Sequence, residues 1–463
     1  MSDAKAASTT EFLGEPGGTL ALIGVLAVLL WLLASKELGL AVIGVAGVGA
    51  LWGARRRWML APLGAFAFLV PLPFAMWYMM TGEGAFGILT RIHPGTLYLL
   101  VLVACGWRPN EAVTRRDSPP FLRRDRFLVS SQCAFVVLAG GMTLALRGFR
   151  GLSLLLDDYV GPFVCYWLLV WLFRTRRDSR SLVGTLIGVV GAILATVAIV
   201  EFMNGRNAMY ERYYGDVPWF PYATGEYRST ISFGAPLAAA NALLLALVAV
   251  TAARSIQVRV AVAVLVLAGV LATGSRSAAA LALLVSPLTV LAPGESPPDV
   301  RAGRSARVVA LGTVLVLAVL FVGFSGPGQI VLRRVLGSWQ STAVRVLSAE
   351  YFTQSAGSYV IHGVGLGGST DVSTAALGSY ITFENPWIML AVDVGIPLTL
   401  LFASVLGLVF FGAMKAHQRR WGILVGCVAL LAMESAYNSF GVRSIAAYYL
   451  WGALAFLVPD NSS

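Results

Sequence analysis

Charge is scarce in this chain, and acidic charge is scarcest. Only 12% of its 463 residues are charged, and 23 acids face 34 bases. A soluble domain of that length covers itself with far more charge, so an ordinary water-soluble fold is excluded. Cysteine is scarce too. Cys105, Cys133, Cys165 and Cys427 stand in or beside apolar runs without ligand spacing, which argues against a disulfide framework and for small buried apolar residues. The histidines His93, His362 and His417 are too scattered to suggest a metal site, so no metal and no cofactor is expected. Internal repeats are not evident. Residues 1–17 lack a basic stretch ahead of the first apolar run, which argues for a retained anchor rather than a cleaved signal peptide.

What the chain has instead is apolar length. Hydrophobic residues make up 57% of it and the mean hydropathy is +0.77. Runs at about 19–35, 38–54, 60–80, 94–107, 128–146, 159–173, 181–200, 231–252, 260–273, 277–292, 308–324, 386–411, 421–436 and 444–458 approach the roughly 20 residues that cross a hydrocarbon core. The expected fold is an all-α polytopic integral membrane protein with about 12 to 14 transmembrane helices. With the N-terminus in the cytoplasm and alternating spans, most of the 34 lysines and arginines fall on the inner side, as the positive-inside rule requires. Both termini are then cytoplasmic. The net charge of +11, which in a soluble protein would suggest nucleic acid, is explained by orientation and anionic lipid, so membrane lipid is an expected partner and nucleic acid is not. The spacing Gly184-Thr-Leu-Ile-Gly188 permits close helix contact and carries no functional weight.

This topology gives two long outer loops, at about 201–230 and 325–385, and a loop as long as the second usually has a task. Three regions are predicted: a cytoplasmic tail at 1–17, membrane helices with most of the first outer loop at 18–227, and a membrane domain with the large outer loop at 228–463. Arg276, in Thr273-Gly-Ser-Arg-Ser277 between two apolar runs, is either a snorkelling arginine or a guanidinium fixed toward an anion. Arg345 sits in Ser341-Thr-Ala-Val-Arg-Val-Leu-Ser-Ala-Glu350, which reads as a short helix with Arg345 and Ala349 on one face. The stretch Gly363-Val-Gly-Leu-Gly-Gly368, with Gly365 at its centre, permits tight turns and could offer amides to an anion or sugar. A structural turn is the simpler use. In Phe383-Glu-Asn-Pro-Trp387, Asn385 suits a helix cap and Pro386 a first turn, leaving Glu384 beside the membrane as a candidate general base or a solvated carboxylate. The first outer loop mixes charge with aromatics, and Arg212, Tyr214 and Trp219, with Arg228 beyond them, are candidate sugar contacts. Asp393 and Glu434, in or near apolar spans, are costly there, and either could pair with an arginine near the outer face.

These residues, in this order, resemble the O-antigen ligase and polysaccharide polymerase superfamily of bacterial membrane proteins, most clearly from about Arg228 to the C-terminus. The segments that carry the resemblance are Tyr227-Arg-Ser-Thr-Ile-Ser-Phe-Gly-Ala-Pro236, Leu271-Ala-Thr-Gly-Ser-Arg-Ser-Ala-Ala279, Arg345 ahead of Gly363-Val-Gly-Leu-Gly367, Glu384-Asn385, and Asp393-Val-Gly-Ile-Pro397, which has aspartate where the family has glutamate. The resemblance implies a glycan donor on undecaprenyl diphosphate, a glycan or glycolipid hydroxyl as acceptor, and inverting transfer without metal or nucleotide sugar. It also implies a bacterial inner membrane, a site facing the periplasm or exterior, and a possible place in an envelope-biosynthesis complex. Arg276 and Arg345 stand where the family has its two outer-face arginines. Glu384 stands where the ligases carry a histidine, which favours a polymerase or exopolysaccharide-type transferase over a lipid A ligase, with His362 as an alternative base. Two other readings stay open: a transporter or flippase for a lipid-linked glycan or anion, and an inactive partner subunit.

Overall fold

The computed structural model describes residues 61–70, 92–104, 123–175, 178–207, 227–291, 340–377, 383–416, 421–437 and 444–458, together with Gly312, Gly323 and Gln329. The tail at 1–17 and the runs at 19–35 and 38–54 lie outside these residues, as does 308–324 but for Gly312 and Gly323. Every regular element among the described residues is helical. In chain order they are α1 (Gly64–Leu69), α2 (Pro94–Ala104), α3 (Arg123–Arg147), α4 (Leu152–Leu155), a π-helical turn (Leu156–Val160), α5 (Gly161–Thr175), α6 (Ser179–Asn204), α7 (Pro236–Val250), α8 (Ile256–Ala272), α9 (Arg276–Leu291), α10 (Gln340–Ser355), α11 (Gly368–Leu377), α12 (Pro386–Ala416), α13 (Trp421–Glu434) and α14 (Ala446–Ala455), with short 3-10 turns between some of them. Among the described residues four stretches are long and apolar enough, by length and composition, to cross a membrane: Asp125–Arg147, Leu152–Arg174, Ser179–Asn204 and Pro386–Met414, the last of them broken at Gly395. The protein is thus an all-α, polytopic membrane protein.

One end of the bundle is basic and cross-tied. Arg174 binds Asp125 at 2.7 Å, joining the end of α5 to the start of α3. Arg254, after α7, pairs with Asp178, before α6. Arg180 donates to the Val458 carbonyl at 2.6 Å, and Arg259 to that of Thr289 at 3.3 Å. Each of these arginines binds a carboxylate or a buried carbonyl in or just past a last helical turn, so charge and helix ends satisfy each other. Deeper in the bundle, Phe135, Tyr159, Phe163 and Phe402 meet at ring separations of 5.1 to 6.4 Å, with Trp451 edge-on to Phe163 at 4.8 Å. Asp157, on the π-helical turn, is buried, and it accepts from the His93 amide at 3.0 Å and the Thr96 hydroxyl at 2.7 Å. That buried carboxylate is used to hold α2 against the turn.

Four central helices are short. α7, α8, α9 and α13 have 15, 17, 16 and 14 residues and pack on one another, while the neighbouring α6 has 26. Glycines on α6 make the close approach possible. A Cβ on Gly184 would strike the Ala249 carbonyl of α7, and one on Gly188 would come within 2.8 Å of Val250. Because α6 and α8 are level at the basic end, α6 overtops α8 at the other. Ser229 marks the level there: its amide donates to Ala272, the last residue of α8, and its hydroxyl to Ala198 of α6. From Ala198 α6 climbs on to Asn204, about 9 Å higher at 1.5 Å per residue. The short helices therefore end on a step, with longer structure rising beside it.

The run at 386–411, read from sequence as one crossing, is two arms. Gly395 is non-helical (φ 82°, ψ 161°) inside α12. The Trp387 and Phe402 ring centroids lie 6.3 Å apart, although fifteen residues of straight helix would separate their Cα atoms by about 22 Å. The arm 386–394 is therefore folded back against the arm 396–416. The sequence supplies the break: Pro397 has no amide hydrogen and its ring displaces the carbonyl four residues earlier, that of Asp393. The freed carbonyl is taken by the Gly365 amide at 2.8 Å, and the adjacent Val392 carbonyl by the Val364 amide at 2.9 Å.

Candidate functional site

The large outer loop is built into the bundle. Tyr351 and Phe352 of α10 pack into a small core of their own with Tyr359, Phe383, Ile388, Met389 and Val392. Tyr351 stacks on Phe383 at 5.5 Å and Phe352 on Tyr359 at 6.3 Å. This core fixes α10 beside Glu384. The expected short helix at 341–350 is present and longer, spanning Gln340–Ser355.

Arg345 and Glu384 meet. The guanidinium Nε lies 3.5 Å from the carboxylate, and Nη2 donates to the Ala436 carbonyl at 2.8 Å. Both side chains keep solvent exposure, 45% and 35%. A pair this open contributes only about 0.2–1 kcal/mol to stability, so its interest lies in the charge state it sets. Partial burial pushes the Glu384 carboxyl above the ordinary carboxylate range, while Arg345 pulls it back down. The next residues follow the local sequence. The Asn385 side-chain oxygen accepts from the Trp387 amide at 3.0 Å and the Ile388 amide at 3.3 Å, capping the arm that Pro386 opens. Trp387 then donates from its indole to the Ser435 hydroxyl at 3.0 Å. Asn385→Ala should cost about 1 kcal/mol of stability. Hydrogen exchange in detergent should speed up at residues 387–390 and stay unchanged in α6; uniform exchange would show that the cap does not act.

A second cluster sits on the same step. α8 turns into α9 through Thr273-Gly274-Ser275, with Gly274 at φ 61°. The Arg228 side chain lies across that glycine and donates from Nε to the Thr273 carbonyl at 3.0 Å. Arg276 opens α9 and is half-buried. Arg228 closes the end of α8 and Arg276 opens α9, while the Arg345–Glu384 pair rests on the end of α13, which packs against α9. Both clusters therefore occupy the end of the short-helix group opposite the basic ties.

His362 and Gly365 stand elsewhere. A Cβ on Gly395 would lie 2.9 Å from the His362 Cα, so His362 is at the apex of α12. Glu384 is at the far end of the 386–394 arm, about 13 Å along the helix axis. The glycine stretch is likewise occupied. Besides the two bonds to α12 carbonyls, the Gly367 and Ser369 amides donate to the Asp393 carboxylate at 3.1 and 2.6 Å. Asp393 thus places its charge at the N-terminus of α11, where a helix favours an anion, and the amides of Gly365 and Gly367 are committed to α12. Arg147 crosses this strap and binds Asp371 at 2.8 Å. Arg212, Tyr214 and Trp219 lie outside the described residues.

Asn241, Ser435 and Tyr437, which bear on this site, are not singled out by the sequence motifs. Asn241 carried a signal, being the one polar side chain in the apolar helix Pro236–Val250. Ser435 and Tyr437 carried none. No family model matches the chain, and no curated protein matches it either.

Proposed function

We propose that this protein is a membrane glycosyltransferase that moves a glycan from undecaprenyl diphosphate to a sugar hydroxyl, with a polymerase or exopolysaccharide-type activity favoured over lipid A ligation. The observation that carries this reading is the Arg345–Glu384 pair at 3.5 Å, half open to solvent at the end of a folded-back helix. It joins a cation suited to a diphosphate with a carboxylate whose proton affinity has been raised. Arg345, with Arg276 and Arg228 on the same step, compensates the charge that builds on the departing diphosphate. Glu384 takes the proton of the acceptor hydroxyl, whose oxygen attacks the anomeric carbon with inversion as the bond to the diphosphate breaks. A charge-compensated diphosphate leaves without being protonated. His362, at the apex of α12, is the less favoured base on these distances.

The topology belongs to the same proposal: about 12 to 14 spans in a bacterial inner membrane, both ends and the basic ties cytoplasmic, and the step facing the periplasm or exterior. A transporter for a lipid-linked glycan or anion is the second reading. The interruption of α12 at Gly395 favours it, since transporters use discontinuous helices around their substrates.

Purified protein should be incubated with an undecaprenyl-diphosphate oligosaccharide, without metal or nucleotide sugar. A ladder of lengthened glycan supports a polymerase, and a single transfer that needs an added acceptor supports a ligase. Binding without transfer to any of a panel of acceptors sinks the transferase and leaves the transporter. Glu384→Gln should lower kcat by about 10²- to 10⁴-fold. In the parent, activity should fall as pH drops through the carboxyl's pKa. Because that pKa is raised, the acid limb should stand above the ordinary carboxylate range; a pH-independent rate would remove Glu384 as base.

A further inference from the structure

The turn that follows α13 carries both halves of the candidate site. The Ala436 carbonyl holds Arg345, and the Ser435 hydroxyl holds Trp387, three residues past Glu384. Two backbone bonds, Ser435 to Leu431 at 2.9 Å and Ala436 to Met433 at 3.0 Å, shape this turn but tie it only to its own helix. Its tie to the rest of the bundle runs through the next residue. The Tyr437 hydroxyl accepts from the Asn241 amide nitrogen at 2.5 Å and is hydrogen-bonded to Ser444 as well. Asn241 is fully buried in the second turn of α7 and Tyr437 is 7% exposed, so water does not compete for the bond. A buried polar pair between two helices fixes one register, because any other leaves an amide or a hydroxyl without a partner. The Asn241 side-chain oxygen already has no hydrogen-bond partner among the described residues, so this helix tolerates a buried polar deficit to keep the tie.

We propose that Asn241 and Tyr437 are positioning residues that hold the Ser435–Ala436 turn beneath Arg345 and Trp387, and so set the geometry of the Arg345–Glu384 pair. Neither needs to touch substrate. Their importance for transfer rests on the function proposed above, whereas their hold on Arg345 does not.

Two measurements on the full chain in detergent separate these points. The first is modification of Arg345 by phenylglyoxal, followed by peptide mass spectrometry, which requires no activity. Tyr437→Phe and Asn241→Leu each remove one partner at nearly constant volume, and either should speed Arg345 modification about 3- to 10-fold while leaving Arg174 at the basic end unchanged. An unchanged rate at Arg345 in either variant that folds like the parent overturns the proposal. The second is transfer kinetics. Tyr437→Phe should lower kcat by about tenfold with little change in donor KM, and should cost less in an Arg345→Ala background, where only the hold on Trp387 and Glu384 is left to lose. Additive losses would mean that Tyr437 acts by another route. If the parent transfers no glycan at all, the function fails and the phenylglyoxal result still decides the positioning.

Discussion

Arg345→Ala is expected to lower glycan transfer by about 10²- to 10³-fold in kcat, the usual loss when one donor to a developing oxyanion is removed. Donor KM should change far less, because the full charge on the diphosphate exists only as the glycosidic bond breaks. The variant should fold normally, since an ion pair with this much exposure contributes little to stability. It should also move the acid limb of any residual activity to higher pH. Arg345 holds the Glu384 carboxyl down against the effect of burial, so without it the carboxylate takes up its proton sooner as pH falls. Arg345→Lys restores charge without the planar fork and should recover only part of the rate. A loss confined to KM, or a limb that does not move, would take Arg345 out of the reacting centre.

Gly395→Ala is expected to be strongly destabilising, because strain and backbone clash act together there. At φ 82° and ψ 161° the backbone is in a region nearly reserved for glycine. The added Cβ would stand 2.9 and 3.0 Å from the His362 Cα and carbonyl carbon and 3.2 Å from the Gly363 nitrogen, all backbone atoms without a rotamer to escape into. Strain and clash together should cost about 3 kcal/mol or more. The variant should lose thermal stability in detergent by several degrees. The strap at 363–369 should exchange its amides quickly, while the basic end of the bundle stays protected. Gly407→Ala, on the other arm, has only ordinary contacts from 3.9 Å outward to the Phe411 ring and serves as the control. Equal stability of the two variants would mean that α12 does not fold back as described.

The features legible in the sequence are the local ones. Asn385 and Pro386 announce a helix start because capping uses neighbours two and three residues away. Thr273-Gly-Ser275 announces a tight turn because one residue there needs a positive φ. The helix around Arg345 is legible from its own spacing. Gly395 and Pro397 advertise a break, yet hydropathy reads straight through them, since both arms are apolar. The fold-back is a tertiary fact, fixed by Trp387 meeting Phe402 and by a strap some thirty residues upstream in the chain. The glycines of that strap read as a structural turn, or as amides open to an anion or sugar. Their use was hidden because the acceptors lie on Val392 and Asp393, far along the chain, and the Asp393 backbone carbonyl is free only where Pro397 breaks the helix. The tie between Asn241 and Tyr437 spans 196 positions and has no local trace beyond a lone asparagine in an apolar run.

The step has a consequence for the surrounding bilayer. Helices of 14 to 17 residues are about 21 to 26 Å long, short of the roughly 30 Å hydrocarbon core. α8, α9 and α13 carry exposed apolar residues such as Leu265, Leu284 and Val428, and thinning of the acyl layer is one way for a bilayer to match helices this short. On the proposed topology and function, such thinning would draw outer-leaflet headgroups toward Arg276 and Arg345 and bring a lipid-borne diphosphate to the step within its own layer. The proposed activity should then depend on membrane thickness: in vesicles of progressively longer acyl chains the cost of thinning grows, and transfer should fall before the fold is disturbed.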